Sequence, residues 1–197
     1  MTSSRAPQRR ADARRSRASI LEAAARLLNS APDASVGAIA ADAGVTRQTV
    51  YAHFPSRPQL LAAVLDQVTE EAVAAMDALD LDTGPAVDAL LRLIDASART
   101  TARYPVLLQR IRALPEIPQA DHKRHAPVAD RLKRVIRRGQ RSGEFDDRLS
   151  PDWLVAVVID LGHTAAAETD ADRMTGQEAT DALHISLRRI LGANTPP

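Results

Sequence analysis

The sequence predicts an all-α chain of about nine helices: an N-terminal helix-turn-helix head of three helices joined to a C-terminal helical bundle. Apolar residues recur at helical spacing along nearly the whole chain, and no stretch alternates with period two for long. Capping serines and threonines, with breaking prolines and glycines, divide that pattern into separate helices. At 197 residues, 45% of them hydrophobic, the chain can bury a core.

The elements follow in order. Residues 1–13 are polar and charged without an apolar stripe, and are expected to form a disordered basic arm. A first helix covers about Arg14 to Asn29, with Ile20, Ala24, Leu27 and Leu28 on one side, and Pro32 ends it. Ser35 caps a short second helix that runs to Ala43, and Gly44 supplies the turn behind it. Thr46 caps a third helix to about His53. Ser56 caps a long fourth one, with Pro58 tolerated in its first turn.

Further helices are marked by Val87–Ala98, Leu107–Leu114 and Val128–Ile136. Ser150-Pro151 opens an eighth, and a ninth runs from about Gly176 to Leu191. The eighth, with Trp153, Leu154, Val155, Val157, Val158, Ile159 and Leu161, is apolar all the way round. It is expected to be covered on every side, one side by another subunit.

Charge is distributed unevenly. Residues 1–60 carry nine arginines against four acidic groups, a balance of +5, and the rest carries −4, which leaves the chain at +1. A basic head on an acidic body suits a polyanionic partner at one end. The absence of cysteine excludes disulfides and thiolate metal sites and suits a reducing cytoplasm, where the chain is expected to reside. The apolar run Leu154–Ile159 is far short of the ~20 residues a membrane span needs, and no membrane association is expected. The arginine-rich start has no apolar run behind it, unlike a secretory signal.

The chemistry is concentrated between Ala34 and Phe54. Val36, Ile39, Ala40 and Ala43 form the inner side of the second helix, and Val45 fills the angle to the third. In the third, Val50 and Phe54 share the inward side at 100° per residue, and Gln48 and Ala52 point away from it. The outward surface is almost entirely hydrogen-bonding, as a helix lying in a major groove requires. Arg47 and Gln48 occupy the first turn, where arginine suits guanine and glutamine suits adenine. Ser35, Thr46, Thr49, Tyr51, His53 and Arg57 are assigned to phosphate contacts and positioning.

The run from Gly44 to Arg57, Gly-Val-Thr-Arg-Gln-Thr-Val-Tyr-Ala-His-Phe-Pro-Ser-Arg, followed by Gln59-Leu60-Leu61, resembles the DNA-binding signature of the TetR family of bacterial transcriptional regulators. The resemblance covers about Ile20 to Val68. It implies a DNA-binding domain over 14–55 and a ligand-binding and dimerisation bundle over 56–197. It further implies a homodimer through the last two helices, a palindromic operator and a small-molecule effector that releases the repressor. Three positions depart from the family pattern. Arg57 stands where lysine is common, Gln59 where an acid is common, and Gly37 where some members place a polar side chain. Base reading therefore falls on Arg47 and Gln48.

Other signals are weaker. Tyr104, Ile111, Trp153, Asp160 and His163 are the candidate ligand-binding residues. His122 and His125, with Asp121 beside them, have metal-ligand spacing, but they fall in a Pro118–Pro127 segment expected to be an exposed loop, and no metal site is assigned. No catalytic motif and no cofactor signature appears, so no enzyme is expected. Two alternatives stay open: a DNA-binding activator or architectural protein without an effector, and an enzyme carried in the bundle.

Overall fold

A computed structural model describes residues 5–112 and 118–193, with side chains over 8–111 and 124–193. The described residues form helices α1 (Arg5–Ser30), α2 (Val36–Asp42), α3 (Arg47–His53), α4 (Arg57–Asp77), α5 (Ala86–Thr101), α6 (Pro105–Arg112), α7 (Pro118–Ser142), α8 (Pro151–Asp170) and α9 (Gly176–Ile190), with no strand among them. The all-α expectation holds. The capping chemistry read from the sequence also holds: Ser150 Oγ accepts from the Trp153 N–H at 3.2 Å, with Pro151 opening α8. A reciprocal capping box opens α9. Thr175 Oγ1 accepts from the Glu178 N–H at 3.2 Å, and Glu178 Oε2 accepts from the Thr175 N–H at 2.8 Å. Those hydrogen bonds hold the Glu178 carboxyl below its ordinary pKa.

Two expectations are corrected. The segment expected to be a disordered arm is helical from Arg5 onward, because alanine and arginine favour helix and Asp12 pairs with Arg15 one turn on. Likewise, Pro118–Pro127 is not a loop but the start of α7. Pro118 takes the first helical position, where its missing N–H costs nothing, and good helix formers follow it. Within α7 the His125 ring meets the His163 ring of α8 edge-on, with centroids 5.0 Å apart. The side chains of Asp121 and His122 lie outside the described residues.

The chain divides into two compact units. The first gathers the described residues up to Glu70 with Thr101 through α6. Its apolar cluster joins Ile20, Ala24 and Leu28 of α1 to Val36, Ile39 and Ala40 of α2 and to Val50 and Phe54. The cluster also takes in Leu60, Leu61 and Val64 of α4 and Leu107 and Ile111 of α6, so this unit reaches beyond the 14–55 segment. Asn29 ties α1 to the start of α6: its amide donates to the Arg103 carbonyl at 3.1 Å and accepts from the Leu107 N–H at 3.3 Å.

The second unit runs over Glu71–Thr100 and from α7 onward. Leu90 and Leu93 of α5, Leu132 and Ile136 of α7, Leu154 and Val158 of α8, and Leu183 and Leu187 of α9 share its core. Arginines along one side of α7 hold the end of α4 and the segment after it. Arg131 grips the Asp77 carboxylate with two N–H groups, at 2.7 and 2.5 Å, and so lowers its pKa. Arg138 donates to the Gly84 carbonyl at 2.8 Å. At the far end of α7 the chain folds back, and the Gly139 carbonyl accepts from the Glu144 and Phe145 N–H groups at 2.9 and 3.1 Å. The buried Phe145 ring lies directly against the Gly139 Cα, in the space a Cβ would need.

Gly139→Ala should therefore destabilise the second unit by about 1–3 kcal/mol through overpacking. Urea denaturation checks this, and a midpoint equal to that of the wild type would show that the Phe145 ring has another place to go.

Candidate nucleic-acid interface

Two seven-residue helices are too short to persist alone, so their placement depends on caps and packing. Ser35 Oγ accepts from the Ala38 N–H at 3.1 Å and so starts α2. Val36, Ile39 and Ala40 then bury its inner side. The turn tightens at Gly44, whose φ of +67° is the left-handed conformation that favours glycine. The Val45 N–H donates to the Ala40 carbonyl at 2.9 Å, closing the turn beneath the partly buried Val45 side chain. Thr46 then caps α3, accepting from the Thr49 N–H at 3.1 Å.

Val50 and Phe54 are almost fully buried, which fixes the roll of α3 about its axis. Arg47, Gln48, Tyr51 and Ala52 are consequently exposed, while Thr49 and His53 are half-buried on the flank. The Arg47 guanidinium lies 5.5 Å above the Tyr51 ring, and its Nη2 donates to the Tyr51 hydroxyl at 3.3 Å. Arg47 and Tyr51 thus project as one unit from the first turn of α3. Gln48 stands beside them, exposed.

Three residues assigned to positioning have structural tasks. Ser35 and Thr46 are exposed but spend their hydroxyls as caps, and Thr46 Oγ1 also shares a hydrogen bond with Thr49 Oγ1 at 2.8 Å. Arg57 differs more from expectation. Its Nη1 donates to the Ala34 carbonyl at 2.5 Å and its Nη2 to the Pro32 carbonyl at 2.9 Å. The guanidinium fork satisfies two carbonyls in the loop between α1 and α2, which ties that loop to the start of α4.

Two contacts at this site were not read from the sequence. The Arg17 guanidinium sits 5.4 Å over the Phe54 ring, and Arg26 of α1 pairs with Asp42 at the end of α2. Both join residues distant in sequence, and only the packing of α1 brings them together.

The candidate ligand residues fall in different places. In the first unit, Ile111 is buried in the apolar cluster and Tyr104 packs partly buried against it. In the second, Trp153 is 60% exposed, and Asp160 and His163 lie on the same open side of α8. The second unit has a polar groove of about 360 Å³ lined by Asp95, Ala98 and Arg99 of α5 and Gln177, Thr180, Asp181 and His184 of α9. None of the candidate ligand residues lines it. His184 Nε2 and Asp95 Oδ1 lie 2.8 Å apart across that groove. Among the described residues, no three His, Asp or Glu side chains are grouped to hold a metal. No helix among them is long and apolar enough to cross a membrane.

A buried-heeled second helix behind a left-handed glycine turn, with a polar outer surface, is the geometry of a helix-turn-helix reader. The family model described as bacterial regulatory proteins, tetR family, matches residues 20–64, the segment that holds this site. Over this segment the chain is similar to the TetR family.

Among curated relatives, the chain is 40% identical over 82 residues to the HTH-type transcriptional repressor LfrR of Mycolicibacterium smegmatis. The match spans 42% of this chain and 43% of that repressor. The solved structure of the TetR-like regulator LfrR from Mycobacterium smegmatis, in complex with proflavine, is similar over 90% of this chain and 96% of that one, with 29% identity and a TM-score of 0.64. The fatty acid degradation regulator FadR from Bacillus halodurans shares the fold at 16% identity, with a TM-score of 0.74 over 87% of this chain and 93% of that one.

Arg57→Ala should lower the stability of the head by about 1–3 kcal/mol, because two half-buried carbonyls lose a charged donor. Arg57→Lys, which cannot reach both carbonyls at once, should recover only part of it. Thermal unfolding of both variants without DNA checks this, and wild-type melting in Arg57→Ala would show that the two carbonyl contacts add nothing to stability.

Proposed function

We propose that this chain is a sequence-specific DNA-binding transcriptional regulator that represses by occupying an operator and leaves it when a small organic molecule binds. The observation that carries this reading is the outer edge of α3. Arg47, Gln48 and Tyr51 stand exposed above a buried Val50–Phe54 heel, so the helix can enter a major groove without disturbing its own core. Arg47 and Gln48 read base edges. Tyr51, Thr49 and His53 hold the register on phosphates, and the cap hydroxyls of Ser35 and Thr46 lie at the same surface. Repression and an organic effector are supported by the likeness to LfrR, a repressor solved with proflavine. The chain acts by binding rather than by catalysis.

A homodimer through α8 and α9 accompanies this reading. Trp153, Ala156, Asp160, His163 and Ala167 share an exposed side of α8, and Ile185 is 51% exposed on α9. Gly162 has open space where a Cβ would stand. An indole and an isoleucine left open on adjoining helices suit burial against a second copy. Two such heads would meet successive major grooves about 34–36 Å apart on a palindrome.

Arg47→Ala should cost about 1–3 kcal/mol of operator affinity and relax preference at one base pair per half-site, whereas Tyr51→Phe should weaken all sequences alike. Selection of duplexes from a random pool, followed by anisotropy titration, separates the two. Undiminished selectivity in Arg47→Ala would falsify the base-reading role. For the dimer, Ile185→Glu should raise the dimer dissociation constant at least about tenfold, as the loss of a buried interface anchor does. Analytical ultracentrifugation measures it, and an unchanged mass at all concentrations counts against this interface.

A further inference from the structure

The core-facing stripe of α1 continues beyond the core. Leu28, Ala24 and Leu21, spaced by four and three, are buried. The same alternating spacing leads on to Arg17, Arg14 and Arg10, all exposed. At 100° per residue these six positions share one side of the helix. Because α1 begins at Arg5, the three arginines project on helix that has outrun its hydrophobic cover. Arg17 lies over Phe54, the residue that closes α3, so the stripe starts at the end of the reading helix and runs away from it for about 10 Å.

The acidic groups of α1 do not neutralise this stripe. Asp12 lies on another side of the helix and pairs with Arg15, and Glu22 is exposed on yet another. Like charges at spacings of three and four destabilise a helix, so three arginines in successive turns are a local cost unless an anion takes them up. Exposed cations in successive turns beside a groove-reading helix suit the polyanionic backbone of a DNA strand.

We propose that Arg10, Arg14 and Arg17 form a helical contact to the phosphodiester backbone flanking the half-site read by α3. This rests on the DNA-binding reading above and extends it to a second, sequence-independent surface. Arg17 also braces Phe54, so the informative variant of the full-length chain is Arg10→Gln/Arg14→Gln, with Arg10→Lys/Arg14→Lys as its charge-preserving counterpart.

The probe is a duplex enriched by the wild-type chain from random sequence, used at full length and trimmed to the bases that chain selects. The glutamine variant should bind the long duplex severalfold more weakly. Its plot of log affinity against log salt should be shallower by about 0.9 per lost phosphate contact, with base preference unchanged. The lysine variant should restore the slope, and trimming should remove the difference between variants. A glutamine variant with the wild-type slope overturns the stripe, as does one with altered base preference. A lysine variant that stays as weak as the glutamine one overturns it too, since helix geometry rather than charge would then be at fault. If the wild-type chain enriches no duplex at all, it is the DNA reading itself that falls. Enrichment by wild type, with the glutamine variant at the same slope, removes the stripe alone.

Discussion

The burial of Val50 and Phe54 is the constraint on which the head depends. A seven-residue helix has no stability of its own, and its direction in space comes entirely from what it buries. These two side chains anchor α3 in the cluster formed with Ile20, Ala24 and Ile39. Once they are fixed, helical geometry points Gln48 outward and leaves Arg47 and Tyr51 together on one exposed flank. The caps at Ser35 and Thr46 and the left-handed Gly44 then set where each short helix starts and stops. Arg57, by gripping two carbonyls of the preceding loop, joins this assembly to the longer α4. The exposed surface of α3 is thus held from beneath by apolar contacts and from its edges by hydrogen bonds.

Much of this was legible in the sequence because it is governed by local rules. Capping residues, the glycine turn and the 100° helical period act over four or five residues, and each sits where those rules place it. The start of α7 is hard to read because Pro118 and Pro127 resemble loop punctuation, although Pro118 stands in the first turn, where proline breaks nothing, and α7 carries Pro127 in its interior at the loss of one backbone hydrogen bond. The extension of α1 to Arg5 was missed for a related reason. Lacking an apolar stripe, residues 5–13 look disordered, yet their arginines and alanines favour helix and a folded helix lies behind them to propagate from.

Contacts between distant residues were not legible. The partners of Arg57 lie more than twenty residues away, and backbone carbonyls leave no mark in sequence. Arginine beside such a helix suggests phosphate in any sequence, and only the fold shows that this guanidinium also holds two backbone carbonyls. The same holds for Trp153, Asp160 and His163. Their place on the open side of α8 follows from how α8 packs on α7 and α9, which one helix's periodicity does not reveal.

The Arg47–Tyr51 stack has an evolutionary consequence. Gln48 lies opposite Val50 and Phe54 on α3, and Arg47 and Tyr51 share the flank between, all three exposed. Substitutions at exposed positions that fill no core cost little stability, so these outer residues can change without loosening the scaffold. On the DNA-binding reading proposed above, descendants of such a chain can acquire new target sequences through single surface substitutions while the fold stays intact. Recognition can drift where stability does not.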